Sequence, residues 1–156
     1  MTKTDLGLAI ILVAGLSLVT ALVLENAYGL APCPLCMMQR IWIMIAALVA
    51  LVGIWHNPRL GIYPLLTLIA ALTGAGFSLR QLWLQHLPAD QVPSCGPGLE
   101  YMIESFPFSD VLRAMTFGTG SCADVVWSFL GLSIPAWALV GFIIMLACAI
   151  LQWRTR

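Results

Sequence analysis

Four apolar stretches constrain this chain more than anything else in it: roughly Leu6–Leu24, Cys36–Trp55, Leu60–Leu79 and Ile134–Trp153. Each is close to the ~20 residues that carry a helix across a hydrocarbon layer. Lipid offers backbone N–H and C=O groups no partner, so a spanning segment must pair them internally, as a helix does. With 61% apolar residues and only 9% charged, the chain is ill suited to water and well suited to lipid. Its net charge is zero, which gives no electrostatic footprint for nucleic acid. No repeat, low-complexity tract or linker interrupts it, and the connecting loops are too short for a second domain. The expectation is an all-α membrane protein, a four-transmembrane-helix bundle with residues 1–156 as a single domain. The first stretch exceeds the 7–15-residue core of a signal peptide and no small-x-small site follows it, so it reads as a retained span.

Lys and Arg set the orientation. Lys3 precedes span one, Arg59 sits in the turn His56-Asn57-Pro58-Arg59, and Arg154 and Arg156 follow span four. On the other side lie Glu25 in the first loop and Asp90, Glu100, Glu104, Asp110 and Asp124 in the long one. Both termini and the short turn are therefore expected in the cytoplasm. The two remaining loops face outward, with four of the five cysteines on them or at their edge.

The outward cysteines form two sets. Cys33-Pro34-Leu35-Cys36 is a C-x-x-C where span two begins; Cys95 and Cys122 lie in the long loop. An oxidising compartment permits two structural bridges. In the chain-entropy model a Cys95–Cys122 bridge stabilises by about 3–4 kcal/mol, whereas the short C-x-x-C ring yields only ~2 kcal/mol before strain. A bridge that constrains so little is better explained by exchange chemistry. For Cys95 and Cys122 alone, staple and redox pair stand level. Zinc fingers pair two close-spaced knuckles, which the 27-position gap between Cys95 and Cys122 does not supply, so no metal is expected. Pro34 suits the first helical position with Cys33 as cap. Cys36 then falls in the first turn, where unpaired N–H groups and the helix dipole favour a thiolate.

Arg40 follows one turn later. The uncharged part of span two, Ile41–Trp55, measures only about 22 Å at 1.5 Å per residue, so the helix must extend outward through Arg40 to cross the layer. That sets a permanent cation at the outer interface, against the positive-inside trend, on the helix face that carries Cys36. Intramembrane ionisable groups are commonly sited for a partner or pathway, and Arg40 is read that way here over a lipid anchor.

Taken together, Pro32-Cys33-Pro34-Leu35-Cys36, the following Gln39-Arg40, the paired loop cysteines, and Trp127, Phe129-Leu130-Gly131-Leu132, Pro135 and Trp137 resemble the bacterial disulfide bond formation protein B family, DsbB. The match covers nearly the whole chain. The resemblance implies an inner-membrane enzyme, a protein-disulfide:quinone oxidoreductase, that reoxidises the periplasmic dithiol oxidant DsbA and passes electrons to ubiquinone or menaquinone. By position, Cys95 would receive the attack of the reduced partner's thiolate, and the released Cys122 would attack Cys33, freeing Cys36 beside the quinone. Arg40 would hold the quinone oxygens. Some members carry Glu before this Arg, where this chain has Gln39. Exchange alone cannot make a disulfide without a terminal acceptor, and the chain holds no flavin or nucleotide fingerprint, so a lipid-soluble quinone fits. Arg40 suits an oxyanion-type role at such an acceptor.

His86, near the outer end of span three, is open to two readings, quinone ligand or proton relay on one hand and a solvated interfacial side chain on the other. Arg80 reads as a headgroup anchor, Cys148 as an inert small hydrophobe, and Met37 and Met38 as packing. In the periplasmic loop, Leu99, Met102, Ile103 and Phe106, then Phe108, Val111, Leu112 and Met115, recur at helical spacing. They predict a short amphipathic helical segment, broken near Pro107, lying on the membrane surface. Gly118 and Gly120 would give Cys122 a flexible approach. Two rival functions remain. One is a vitamin K epoxide reductase-like enzyme, whose loop pair precedes the C-x-x-C whereas here it follows. The other is a non-enzymatic membrane subunit with structural disulfides.

Overall fold

Thr2 starts the first helix with a reciprocal cap. Its hydroxyl accepts from Asp5 N–H at 3.2 Å while its own N–H donates to the Asp5 carboxylate at 2.7 Å. In the computed structural model, which describes residues 2–57, 61–88, 90–94 and 99–154, this cap opens α1 (Lys3–Tyr28). The second helix, α2 (Pro34–His56), begins on a proline whose missing N–H would have had no intrahelical partner. The third, α3 (Ile62–Gln85), is tied to the end of α2 by a hydrogen bond between His56 and Tyr63. Two short helices, α4 (Leu99–Ser105) and α5 (Phe108–Phe117), occupy the long loop, and a hairpin of β1 (Ser128–Phe129) and β2 (Leu132–Ser133) leads into α6 (Ile134–Arg154).

The four long helices have 21 to 26 residues, about 32–39 Å at 1.5 Å per residue, enough to cross the core of a bilayer. The protein is an all-α bundle with four membrane-spanning helices, as its sequence predicts. The helices run beyond the apolar windows. Glu25 belongs to the end of α1 and not to a loop, and α3 continues past Leu79 to Gln85. Hydropathy stops at Arg80, but the backbone does not. The Arg80 guanidinium lies 4.4 Å over the Trp83 ring and its Nε donates to Phe117 O at 3.3 Å, which keeps the charge at the rim. Leu60, the first residue of the third apolar window, lies outside the described residues.

Around the bundle each long helix meets two neighbours, in the order α1, α2, α3, α6 and back to α1. Lipid gives apolar side chains no reason to turn inward, so close contact between helices comes from small residues and shape. The core follows that rule: Ala14, Ala46, Ala50, Ala70, Ala71 and Ala75 pack around Ile10, Ile43, Phe142 and Met145. Leu8, Leu12, Leu16 and Val19 on α1 are exposed and face the lipid side. Between α3 and α6 a glycine admits a large side chain. A Cβ on Gly74 would stand 2.1 Å and 2.2 Å from atoms of the buried Phe142 ring.

In the long loop α4 and α5 break at Pro107 and bury Met102, Val111 and Ala114 against one another. Ile103, Phe106, Phe108 and Leu112 remain exposed, an apolar underside suited to a membrane surface. The hairpin is absent from the sequence reading. Leu130 at φ 53° and Gly131 at φ 79° form its two-residue turn, and a leucine there gives no turn signal. Trp137 Nε1 donates to Phe129 O at 3.1 Å and ties the hairpin to α6.

Gly74→Ala is therefore expected to destabilise the bundle by about 1–3 kcal/mol, the usual range for overpacking a filled core. Denaturant unfolding in detergent measures it. Phe142→Leu in the same chain should recover part of the loss, because it removes the ring that the new methyl strikes.

Candidate functional site

Everything converges on the N-terminal end of α2. Cys33 is the N-cap: its sulfur accepts from Cys36 N–H at 3.3 Å, replacing one of the hydrogen bonds that a helix start leaves unmade. The sulfurs of Cys33 and Cys36 stand 2.7 Å apart, so the bond of about 2.05 Å that would join them needs only a small approach. Cys33, Cys36, Cys122 and Cys148 are all thiols.

The loop delivers a third sulfur to the same place. Gly118 takes φ +84°, and a Cβ there would come within 2.8 Å of both Leu35 and Leu84. Close approach, as much as flexibility, explains that glycine. The 3₁₀ turn Gly120–Cys122 then drops Cys122, fully buried, between Leu35 and Leu84 and against Cys33. Gly120 N–H donates to Ser94 O at 3.3 Å, so the chain one residue before Cys95 runs beside this turn. Cys95 itself lies outside the described residues.

Charge distribution follows from these contacts. The Cys33 thiol donates to Cys122, the backbone N–H of Leu35 in the first turn of α2 adds a second donor, and Thr119 adds more. Together they hold the Cys122 thiol well below its ordinary value, at about 6, despite burial. Cys33 moves the other way, raised by donating to the Cys122 and Cys36 sulfurs and by burial. A protonated Cys33 beside a Cys122 thiolate is the favoured arrangement. The sequence reading assigned the N–H groups at the helix start to Cys36; in the structure the backbone N–H of the Cys33 cap hydrogen-bonds the Cys36 sulfur, while Cys36 N–H goes to Cys33 and Leu35 N–H to Cys122.

What Cys36 meets is a side chain that the sequence reading did not single out. Gln81 of α3, only 3% exposed, directs its Nε2 at Cys33 Sγ and Cys36 Sγ, each at 3.3 Å. Its Oε1 accepts from Gln39 Nε2 at 2.8 Å. No local signal marked it: Gln81 follows Arg80, just beyond the apolar window that ends at Leu79.

Arg40 leaves α2 one turn deeper and diverges from Cys36. It reaches α1, where Nη1 pairs with Glu25 at 2.6 Å and Nη2 donates to Ala21 O at 3.4 Å. His86 is the C-cap of α3; its ring Nδ1 donates to Leu82 O at 2.7 Å and leaves Nε2 outward. Met37 and Met38 are half-buried on α2, and Cys148 lies in α6 near the opposite end of the bundle.

A family model described as "Disulfide bond formation protein DsbB" matches residues 3–152. The chain belongs to the DsbB family. Among proteins named disulfide bond formation protein B, that of Hahella chejuensis is 52% identical over 157 residues, covering 99% of this chain and 94% of that protein. The Methylococcus capsulatus protein is also 52% identical, covering 87% and 85%, and the Marinobacter nauticus protein 49%, covering 96% and 90%. This DsbB family member is thus a multi-pass membrane protein and an oxidoreductase of disulfide formation.

A direct consequence concerns Cys122. In fully reduced protein, a pH titration of ultraviolet thiolate absorbance should show a step near pH 6 that disappears in Cys122→Ser. The sign is fixed by the shift: a lowered value keeps the anion present down to about pH 6 and loses it below. Absorbance rising only above pH 8 would contradict the assignment.

Proposed function

We propose that this chain is the quinone-linked oxidase of a periplasmic DsbA-like dithiol protein, working from a bacterial inner membrane with both termini cytoplasmic. The observation that carries the reading is the meeting of Cys122 with Cys33 and Cys36 at the capped end of α2, one turn above Arg40. A staple would not leave three sulfurs within exchange distance of one another. Family membership supports the remainder.

The steps balance as exchanges. The partner's thiolate attacks Cys95, the Cys95–Cys122 bond breaks, and Cys122 leaves with the electron pair. Its anion is stabilised by the Leu35 N–H and the Cys33 thiol when the C-x-x-C is reduced; when Cys33 and Cys36 are bonded, the same sulfur faces Cys33 as nucleophile. Attack on Cys33 forms Cys33–Cys122 and expels Cys36 as thiolate. Cys122 is 0% exposed, so the turn carrying it must lift away to exchange with Cys95 and settle back to reach Cys33.

A quinone head needs a flat apolar berth and donors for its oxygens. The α1–α2 seam offers donors and apolar surface: the Arg40 and Glu25 side chains are 18% and 34% exposed, and Met44 on α2 is exposed. Bound there, ubiquinone or menaquinone supplies an acceptor for two electrons and two protons. Arg40 contributes donors beyond the two directed at Glu25 and Ala21, and Glu25 holds the guanidinium in place. His86, with Nε2 outward, is proposed as a proton carrier at the same rim.

The test is a split of rates. Arg40→Ala should slow quinone reduction by roughly 30- to 800-fold, the equivalent of ~2–4 kcal/mol for an oxyanion-type donor. Quinone-free exchange with reduced DsbA should stay near normal. Arg40→Lys should recover only part, since an ammonium lacks the planar fork. Normal quinone kinetics in Arg40→Ala would leave Arg40 as a structural partner of Glu25.

A further inference from the structure

Gln39 and Gln81 are buried amides, each 3% exposed, in a chain that has few polar side chains within its spans. Burying an amide costs several kcal/mol unless it is hydrogen-bonded, and two apolar side chains would close the α2–α3 seam without that cost. Mutual satisfaction explains one contact only, Gln39 Nε2 to Gln81 Oε1. It does not explain why Gln81 spends the two hydrogens of its Nε2 on two sulfurs at equal distance.

The redox cycle offers a reason for an amide at this point. A Cys33–Cys36 disulfide carries no charge, whereas the opened pair carries a thiolate. A buried Lys or Arg would be left uncompensated in the first state, at a cost of several kcal/mol. A neutral NH₂ group is tolerated in the first state and donates in the second, where hydrogen bonds to an anion are the stronger kind. Cys36 Sγ also lies 3.6 Å from Gln81 Oε1, so a protonated Cys36 finds an acceptor on the same amide.

We propose that Gln81 is a catalytic hydrogen-bond donor to the Cys36 sulfur and that Gln39 is the positioning residue that holds it there. This deepens the exchange reading above and rests on it for direction. Cys122 attacks Cys33, the Cys33–Cys122 bond forms, and the Cys33–Cys36 bond breaks with its electron pair passing to Cys36. No electrons are gained or lost and no proton moves. Gln81 Nε2 is already aimed at the sulfur that takes the charge, while Gln39 donates to the amide oxygen and holds the amide in this orientation.

The experiment uses full-length, reduced, quinone-free protein and follows Cys36 alkylation by iodoacetamide across pH, with the modified peptide identified by mass spectrometry. Gln81→Leu should slow alkylation of Cys36 at neutral pH by about tenfold, the scale of one hydrogen bond to a charged group, and displace the whole pH profile towards alkaline pH. Gln81→Glu keeps the size of the side chain and should slow it further, because a carboxylate then faces the sulfur. Gln39→Leu should move the profile in the same direction by less. Profiles of Gln81→Leu or Gln81→Glu that overlay the wild type overturn the proposal, and the Glu variant answers the question if the Leu variant fails to fold. Neither quinone nor DsbA enters the measurement, so its failure is separate from failure of the oxidase reading. Quinol formation in the same variants then reports whether the donor matters to turnover.

Discussion

A helix that crosses lipid satisfies its backbone internally except at its ends, where the first four N–H groups have no intrahelical acceptor. At the N-terminal end of α2 those donors meet sulfur. Pro34 removes one of them, Cys36 N–H goes to the Cys33 cap, and Leu35 N–H goes to Cys122 from a loop more than eighty residues later. The same event that starts the helix thereby gathers three thiols and favours an anion among them. The loop architecture serves this meeting. Gly118 admits the close approach to Leu35 and Leu84, and the Arg80 contact with Phe117 O pins the end of α5 beside α3.

Below that point two seams of α2 carry different side-chain chemistry. The α2–α3 seam holds the sulfurs and their amides, a neutral polar network suited to a bond that opens and closes. The α1–α2 seam holds the one ion pair among the described residues, Arg40 with Glu25. An arginine at this depth is costly without a partner, and truncating Glu25 would strand it. Small residues in the core let the helices approach closely enough for both seams to form, since Gln39 can reach Gln81 only across a tight α2–α3 contact.

Much of this was legible in the sequence. Four spans follow from apolar length alone, and the start of α2 follows from Pro34 after a capping residue. The break between α4 and α5 follows from Pro107 between two helical periodicities. The rest depends on tertiary contact. Nothing local to Gln81 says that it faces a C-x-x-C 45 residues earlier, and Glu25 reads as a loop carboxylate until α1 is seen to continue to Tyr28. The hairpin was missed because its turn uses Leu130 where sequence rules look for Asn, Asp or Gly. The N–H groups at the helix start were foreseen as a thiolate site for Cys36, but their reach to Cys122 was not. Spacing along one helix cannot anticipate a sulfur brought in by another segment.

The central claim is that electrons entering as thiols leave through Cys33 and Cys36 to a quinone. Anaerobic incubation of the purified protein with reduced DsbA and a soluble quinone, followed by quinol absorbance and thiol counting, measures it directly. The account predicts one quinol formed for each pair of DsbA thiols lost in the wild type and none in Cys33→Ser. Thiol loss without quinol, or quinol formation that persists in Cys33→Ser, would contradict it.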